Sequence, residues 1–194
     1  AEFYAKYGPW AIVTGASSGI GEEFCRQLAA LELNLVLIAR RKEKLESLAN
    51  ELTSKHGIET RVVSTDLSTP DFLKQIQVAT DSLDVGLLVN NAGLALTGKF
   101  LEHKIEDEQT LLNVNCRAPL VLAHVFGNKM AQRGKGGIIN ISSASAFLPM
   151  PFWTNYSASK VYLLYLSEGL GYELQEKGVD VLALCPGGTR TEFS

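Results

Sequence analysis

An apolar run, Trp10-Ala11-Ile12-Val13, breaks off into Thr14-Gly15-Ala16-Ser17-Ser18-Gly19-Ile20-Gly21, and a helical pattern starts at Glu22. No other stretch limits the fold so tightly. Three glycines so close to a strand end read as strand, tight turn and helix N-terminus, because such a turn needs close backbone approach and unusual φ/ψ values. The free N–H groups and positive dipole end of that helix suit a diphosphate. Gly15, Ser17, Ser18, Gly19, Ile20 and Gly21 are therefore candidate cofactor contacts. The spacing, Gly-x-x-x-Gly-x-Gly, is not the common Gly-x-Gly-x-x-Gly, and no Lys-Ser/Thr follows as in a triphosphate-binding loop. A glycine-rich turn without a ligand is the competing reading.

Downstream, short apolar runs alternate with helical patterns. Strands are expected at Leu35–Ala39, Thr60–Ser64, Val85–Val89, Ile138–Ile141 and Val179–Leu184. Helices are expected over Glu22–Leu31, Glu43–His56, a segment capped by Ser68-Thr69-Pro70-Asp71 and running to about Ser82, Ile105–Gln132 and Asn155–Lys177. Pro119 should kink the fourth helix, and Gly136-Gly137 should break the chain before the next strand. Continuous apolar strands joined by long crossovers indicate a doubly wound parallel sheet between two helical layers, a three-layer α/β/α arrangement. At 194 residues, residues 1–194 are expected to form a single domain.

The formal net charge of −3 argues against nucleic acid as a partner. No apolar run reaches the ~20 residues of a membrane span. The three cysteines, Cys25, Cys116 and Cys185, are odd in number, widely spaced and set among apolar residues. They read as reduced, buried small hydrophobes, neither disulfides nor metal ligands. No metal site is expected, and the expected compartment is cytoplasmic. The sequence begins at Ala1, which leaves room for an N-terminal membrane anchor ahead of it.

In open α/β sheets ligands bind beyond the carboxyl ends of the strands. Those ends carry the glycine turn, Arg40-Arg41, Asp66-Leu67, Asn90-Asn91-Ala92-Gly93, Ser142-Ser143 and Pro186-Gly187. The position after the second strand selects between nicotinamide cofactors: an acid suits the ribose 2′-hydroxyl of NAD, a cation the 2′-phosphate of NADP. Ala39 takes the acidic position, Arg40 and Arg41 follow, and NADP(H) is the expected cofactor. Tyr156 and Lys160 lie four residues apart at the start of a helix, on one face. A nearby ammonium, with a nicotinamide cation above, would stabilise a phenolate and lower the tyrosine pKa, making Tyr156 an acid–base catalyst. Ser143 could hydrogen-bond a substrate oxygen. Asn115 reads by itself as a polar residue on an exposed helix turn.

Taken together, Thr14-Gly15-x-x-x-Gly19-x-Gly21, Asn90-Asn91-Ala92-Gly93, Asn115, Ser143, Tyr156-x-x-x-Lys160 and Pro186-Gly187-x-x-x-Thr191 resemble the short-chain dehydrogenase/reductase family, in its order and at similar spacings. Tyr7-Gly8-Pro9-Trp10 and Ala39-Arg40-Arg41 are similar to NADP-dependent keto-steroid and ketoacyl reductases. The resemblance implies hydride transfer between nicotinamide and a carbonyl or secondary alcohol, with Tyr156 as general acid or base. It implies that Lys160 binds the nicotinamide ribose, Ser143 positions the substrate oxygen and Asn115 holds a water in a proton relay. Asp66 and Leu67 would meet the adenine, Asn91, Ala92 and Gly93 the adenosine ribose, and Pro186, Gly187, Thr189 and Thr191 the nicotinamide end.

Family members usually add a further helix and strand after this point, so the sheet is expected to lack them, leaving Val179–Leu184 as an apolar edge. Surplus apolar residues on the two long helices suggest a homodimer through them, as in relatives. The expected partner otherwise is a small carbonyl or alcohol substrate. The alternative function is a non-catalytic NADP-binding module acting as sensor or assembly element.

Overall fold

The computed structural model describes residues 1–188. A short helix, α1 (Glu2–Tyr7), precedes β1 (Trp10–Thr14), α2 (Gly19–Ala30), β2 (Asn34–Ala39), α3 (Lys42–His56) and β3 (Thr60–Ser64). Then follow α4 (Phe72–Thr80), β4 (Val85–Asn90), α5 (Ile105–Leu112), α6 (Ala118–Arg133), β5 (Gly136–Ile141), α7 (Thr154–Gln175) and β6 (Val179–Leu184). All six strands run parallel in the order β3-β2-β1-β4-β5-β6.

The apolar runs are strands because both faces are covered. On β1, Trp10 and Ile12 join a core with Phe72 and Ile76 of α4, Leu122 and Phe126 of α6, and Leu170 and Leu174 of α7. Ala11 and Val13 point to the other side, with Cys25 and Leu28 of α2 and Leu45, Leu48 and Leu52 of α3. Two helical layers thus enclose the sheet. On β6, Leu182 and Leu184 stay exposed.

Four local expectations are corrected. The helix over Ile105–Gln132 is not one kinked rod: a π-helical turn, Asn113–Arg117, separates α5 from α6, and Pro119 sits in the first turn of α6. There its missing N–H costs little. Gly136 and Gly137 do not break the chain but belong to β5. A Cβ at Gly137 would stand 2.8 Å from the Tyr7 ring, so the glycine is a packing requirement of α1 against the sheet. The segment before α4 is a turn built by Asp66, whose carboxylate accepts from Ser68 N (2.9 Å) and whose carbonyl accepts from Thr69 Oγ1 (2.8 Å). Only Cys25 is fully buried; Cys116 and Cys185 are half-buried, and all three are free.

One polar chain crosses the apolar interior. Asn90 and Asn140 are register partners on β4 and β5. Asn90 Nδ2 donates to Asn140 Oδ1 (2.9 Å), Asn140 Nδ2 to Ser167 Oγ (2.9 Å), and Ser167 Oγ to Leu163 O (2.6 Å). The chain locks α7 to the two strands that deliver residues to the cleft. An unpaired buried polar group costs about 1–3 kcal/mol. Asn140→Ala should therefore lower urea stability by about 2 kcal/mol, whereas Ser167→Ala, which leaves a single donor unpaired, should cost less.

Candidate active site

Along the carboxyl ends of the strands runs a cleft of about 760 Å³. At its centre the glycine turn is fastened from β4. Thr14 Oγ1 accepts from the backbone N–H groups of Asn91 and Ala92, each at 3.0 Å. Asn91 Nδ2 also donates to Thr14 O (3.1 Å) and Gly15 O (3.2 Å). Gly15 has φ +65° and Gly19 φ +57°, in the region glycine adopts at least cost. A Cβ on Gly21 would stand 2.3 Å from both Asn91 Nδ2 and Gly15 O, which explains the third glycine. The turn leaves the N-terminus of α2 facing the cleft with Ser17, Ser18, Gly19 and Ile20 along it.

Arg41 is the N-cap residue of α3, yet its guanidinium reaches back over the glycine turn. It donates to Ser18 Oγ at 2.9 Å and to Ser17 Oγ at 3.1 Å. Two helix N-termini and a guanidinium therefore converge, and each favours an anion. Arg40 lines the cleft beside Asp66. Partial burial would raise the Asp66 pKa, but hydrogen bonds from Ser68 and the Arg40 charge outweigh it and hold the carboxyl below its ordinary value. Thr65, also on the wall, buries its Oγ1 with no hydrogen-bond partner. The donor set, the glycine cradle and this orphaned hydroxyl fit a dinucleotide with an extra phosphate at its adenosine end.

The other end of the cleft carries the hydroxyls. Ser143 follows β5 and caps a 3₁₀ turn, Ala144–Phe147, accepting from Ser145 N at 3.1 Å. Tyr156 and Lys160 project from the first turns of α7. Lys160 Nζ donates to Ile141 O at 2.9 Å and lies 5.6 Å from the Tyr156 ring centroid. Ser142 Oγ donates to Lys160 O at 2.7 Å, joining α7 to the end of β5. Burial pushes the Lys160 ammonium down to about 8. Burial pushes the Tyr156 phenol up, with a Ser143 hydrogen bond opposing. In the protein alone desolvation is the larger effect on the Tyr156 phenol; the lowering expected of Lys160 with a nicotinamide cation above concerns the loaded site.

Asn115 is fully buried in the π-turn, not on an exposed helix turn. Its Oδ1 accepts from Leu94 N (2.7 Å), and its Nδ2 donates to Leu94 O (2.8 Å) and Ser159 Oγ (3.0 Å). Its side chain therefore clamps the segment after β4 to α7 behind Tyr156. A second brace lies nearby: His103 Nδ1 and Glu108 Oε1 are 2.7 Å apart, and Asn155 Nδ2 donates to Glu108 Oε2 at 2.6 Å.

The cleft gathers Gly15, Ser17, Ser18, Gly19, Ile20, Arg40, Arg41, Asp66 and Leu67 at one end and along its floor. Asn91, Ala92, Gly93, Ser143, Tyr156, Lys160, Pro186 and Gly187 complete it. Gly21 and Asn115 stand behind the wall as supports, and Asn91 turns its amide into the glycine turn. Thr189 and Thr191 lie outside the described residues. Sequence reasoning missed Thr65, Leu94, Ala95, Met150 and Trp153, which also line the cleft. Thr65 was findable as a strand-end residue and the apolar 144–153 stretch by its lack of charge; the π-turn and the His103–Glu108–Asn155 brace leave no local signal.

Comparison with known proteins agrees with this geometry. A family model described as short chain dehydrogenase matches residues 9–194, and the chain belongs to that family. It is 39% identical over 183 residues to a very-long-chain 3-oxoacyl-CoA reductase of Pyricularia oryzae, covering 92% of this chain and 55% of that protein. It is 35% identical over 186 residues to a 7beta-hydroxysteroid dehydrogenase of Collinsella aerofaciens, covering 96% of this chain and 71% of that one. The chain thus spans little more than half the length of the first relative. A short-chain dehydrogenase from Sphingobium yanoikuyae, solved in complex with NADPH, superimposes with TM-score 0.92 at 36% identity over 96% of this chain and 73% of that one.

If the Asn91 clamp sets the turn, Gly21→Ala should destabilise the protein by at least about 2 kcal/mol through overpacking against backbone. Urea denaturation and dinucleotide titration should then show a lowered midpoint together with weakened binding.

Proposed function

We propose that the chain is an NADP(H)-dependent oxidoreductase that moves a hydride between the nicotinamide and a carbonyl or secondary alcohol, with Tyr156 as its general acid or base. One observation carries the reading: a cleft with a phosphate-seeking Arg41 at one end and Ser143, Tyr156 and Lys160 at the other. Ser17, Ser18, Gly19 and Ile20 would hold the diphosphate, Arg41 and Arg40 the 2′-phosphate, and Asp66 and Leu67 the adenine. Ala92 and Gly93 would border the adenosine ribose and Pro186 and Gly187 the nicotinamide end, with Thr189 and Thr191 following. Bound NADPH supplies the hydride.

The protein's own share is proton chemistry. Burial keeps the Tyr156 phenol protonated at neutral pH, which suits it to donate to a substrate carbonyl oxygen. The Ser143 hydroxyl, hydrogen-bonded to that phenol, is placed to hold the same oxygen. As the proton leaves, the buried Lys160 ammonium offsets charge developing on the phenolate. Asn115 acts by fixing α7 behind these groups. The carbonyl substrate is a small molecule.

A homodimer through the long helices is supported by exposed Leu112, Leu120, Tyr165 and Tyr172. Among the described residues no helix is long and apolar enough to cross a membrane. The free cysteines fit the cytoplasmic placement we propose. We also take residues 1–194 as one nucleotide-binding domain with its own catalytic groups.

Tyr156→Phe should lower turnover of a ketone by about 10²–10⁴-fold, the usual worth of a general acid, and leave NADPH affinity unchanged. Ketone-independent NADPH binding with no turnover in the parent chain would support the non-catalytic module instead. Lys160 gives a pH test. Its folded-state pKa of about 8 lies below the ordinary 10.5, so its ammonium is lost as pH rises through 8. The kcat/KM for reduction should fall over that interval. Stability should do the opposite, because between 8 and 10.5 the unfolded state binds the extra proton and folding gains with pH. Urea titrations of the parent and Lys160→Met across this range should isolate that gain.

A further inference from the structure

Both ring nitrogens of His103 face acceptors. Nδ1 is 2.7 Å from Glu108 Oε1, and Nε2 is 3.3 Å from Thr97 O. With Glu108 ionised, a neutral imidazole has one N–H and serves only one of them, whereas an imidazolium serves both. Glu108 gives the same answer from its side. It is only 5% exposed, and among the described residues its carboxylate is bonded by the His103 ring and the Asn155 amide. A carboxylate so far from water needs a cation close by. The proton of the pair belongs on the ring, the more basic of the two groups, whose side chain is 18% exposed and in exchange with water.

The pair ties three segments together. Thr97 lies in the loop after β4, Glu108 in α5, and Asn155 in the first turn of α7, next to Tyr156. Gly98 N donates to Phe152 O at 2.9 Å, and a Cβ on Gly98 would stand 3.0 Å from His103 Nε2, so this loop needs a glycine to pass the ring. Further along α7, Asn115 holds Ser159 and, on the same loop, Leu94. Tyr156 therefore stands between two tethers, at Asn155 and Ser159. The Asn115 tether is neutral; the Glu108 tether depends on a proton.

The surrounding charges favour the imidazolium. The Glu108 hydrogen bond, helped by the Thr97 carbonyl and the Asp107 charge, outweighs partial desolvation and holds His103 above its ordinary 6.5. Lys99 is engaged by Glu102 at 3.1 Å, and Lys104 and Glu106 are exposed. From α7, residues 154–159 present no ionisable side chain except the Tyr156 phenol, and residues 144–153 carry no charge.

We propose that His103 is a positioning residue: as an imidazolium it holds Glu108, and through Glu108 and Asn155 the first turn of α7, so that loss of its proton loosens Tyr156 and slows turnover. This rests on the oxidoreductase reading with Tyr156 as general acid, and adds a second alkaline control beside Lys160. Lys160 acts on the charge of the phenolate, His103 on where the phenol stands. Because the folded-state pKa of His103 is raised, its contribution to stability is complete below 6.5 and is lost as pH rises through the folded-state value.

The test follows the His103 ring resonances of the full chain by NMR across pH, assigned by their loss in His103→Gln, beside NADPH-driven reduction of a panel of ketones that includes acetophenone and cyclohexanone. The parent ring should titrate above 6.5, and kcat should fall through the same midpoint. Glu108→Gln, which keeps the side chain's size, should lower that midpoint by about one unit or more and carry the fall in kcat down with it. At neutral pH its kcat should be roughly tenfold below the parent, because a small displacement of a reacting group costs that much, with NADPH affinity unchanged. Asn155→Ala should lower kcat likewise while the His103 midpoint stays above 6.5. His103→Arg, a permanent cation with donors for both acceptors, should remove this limb and leave that of Lys160. A parent midpoint at or below 6.5, or a kcat profile that does not follow the midpoint in Glu108→Gln, would overturn the proposal. So would NADPH affinity falling in step with kcat, which marks a general loosening of the fold. Should Glu108→Gln fail to fold, the parent midpoint and the His103→Arg profile decide the matter. Failure of the parent chain to reduce any ketone would overturn the oxidoreductase reading, and the positioning role with it; the ring midpoint, read without turnover, would still locate the charge.

Discussion

The clamp that Asn91 and Ala92 make on Thr14 and Gly15 is the interaction on which the site depends. Thr14 ends β1 and Asn91 follows β4, and four hydrogen bonds from Asn91 and Ala92 to Thr14 and Gly15 hold the glycine turn against the sheet. Only with the turn so held does the N-terminus of α2 open into the cleft, and only then do Ser17 and Ser18 stand within reach of Arg41. Asn91 lies just past the carboxyl end of the central strand β4, partly buried at the cleft, where loss of its amide hydrogen bonds is costly. The clamp is small, polar and local, and it sets the geometry of an anion site built mostly from backbone.

From that centre the cleft divides by charge. Toward β2 and β3 lie the cations and an acid that remains ionised; toward β5 lie hydroxyls, a buried ammonium and apolar side chains. Tyr156 and Lys160 are buried at the second end, so electrostatics act strongly there. Burial raises the Tyr156 pKa and lowers that of Lys160, which drives the pair toward a neutral phenol and a readily lost ammonium proton. Carbonyl reduction as proposed would draw on the neutral phenol with the ammonium still in place.

The fold was largely legible in the sequence because parallel strands buried on two faces are continuous apolar runs, and glycine at a strand end has few other uses. The candidate site was legible wherever a residue follows a strand: Arg41, Asp66, Ser143 and Pro186 all fall where that rule puts them. What stayed hidden depends on three-dimensional pairing. The π-turn at Asn113–Arg117 has no propensity signal of its own, and the polarity of Asn115 pointed to the surface because its partners, Leu94 and Ser159, are remote in sequence. Gly136 and Gly137 looked like a break because α1, which requires Gly137 to be small, carries no strong periodic pattern in six residues. The direction of the Tyr156 shift depends on how much protein surrounds it, which spacing alone does not reveal.

The glycine turn and Arg41 together, we propose, form an NADP(H) site. Its most direct test is energy transfer from tryptophan to bound reduced nicotinamide during parallel titrations with NADPH and NADH, on the parent chain and on Arg41→Ala. NADPH should bind more tightly than NADH by roughly tenfold or more, the scale of one or two charge-assisted hydrogen bonds, with the preference lost in the variant. Equal affinity for the two nucleotides in the parent chain, or a preference that survives Arg41→Ala, would contradict it.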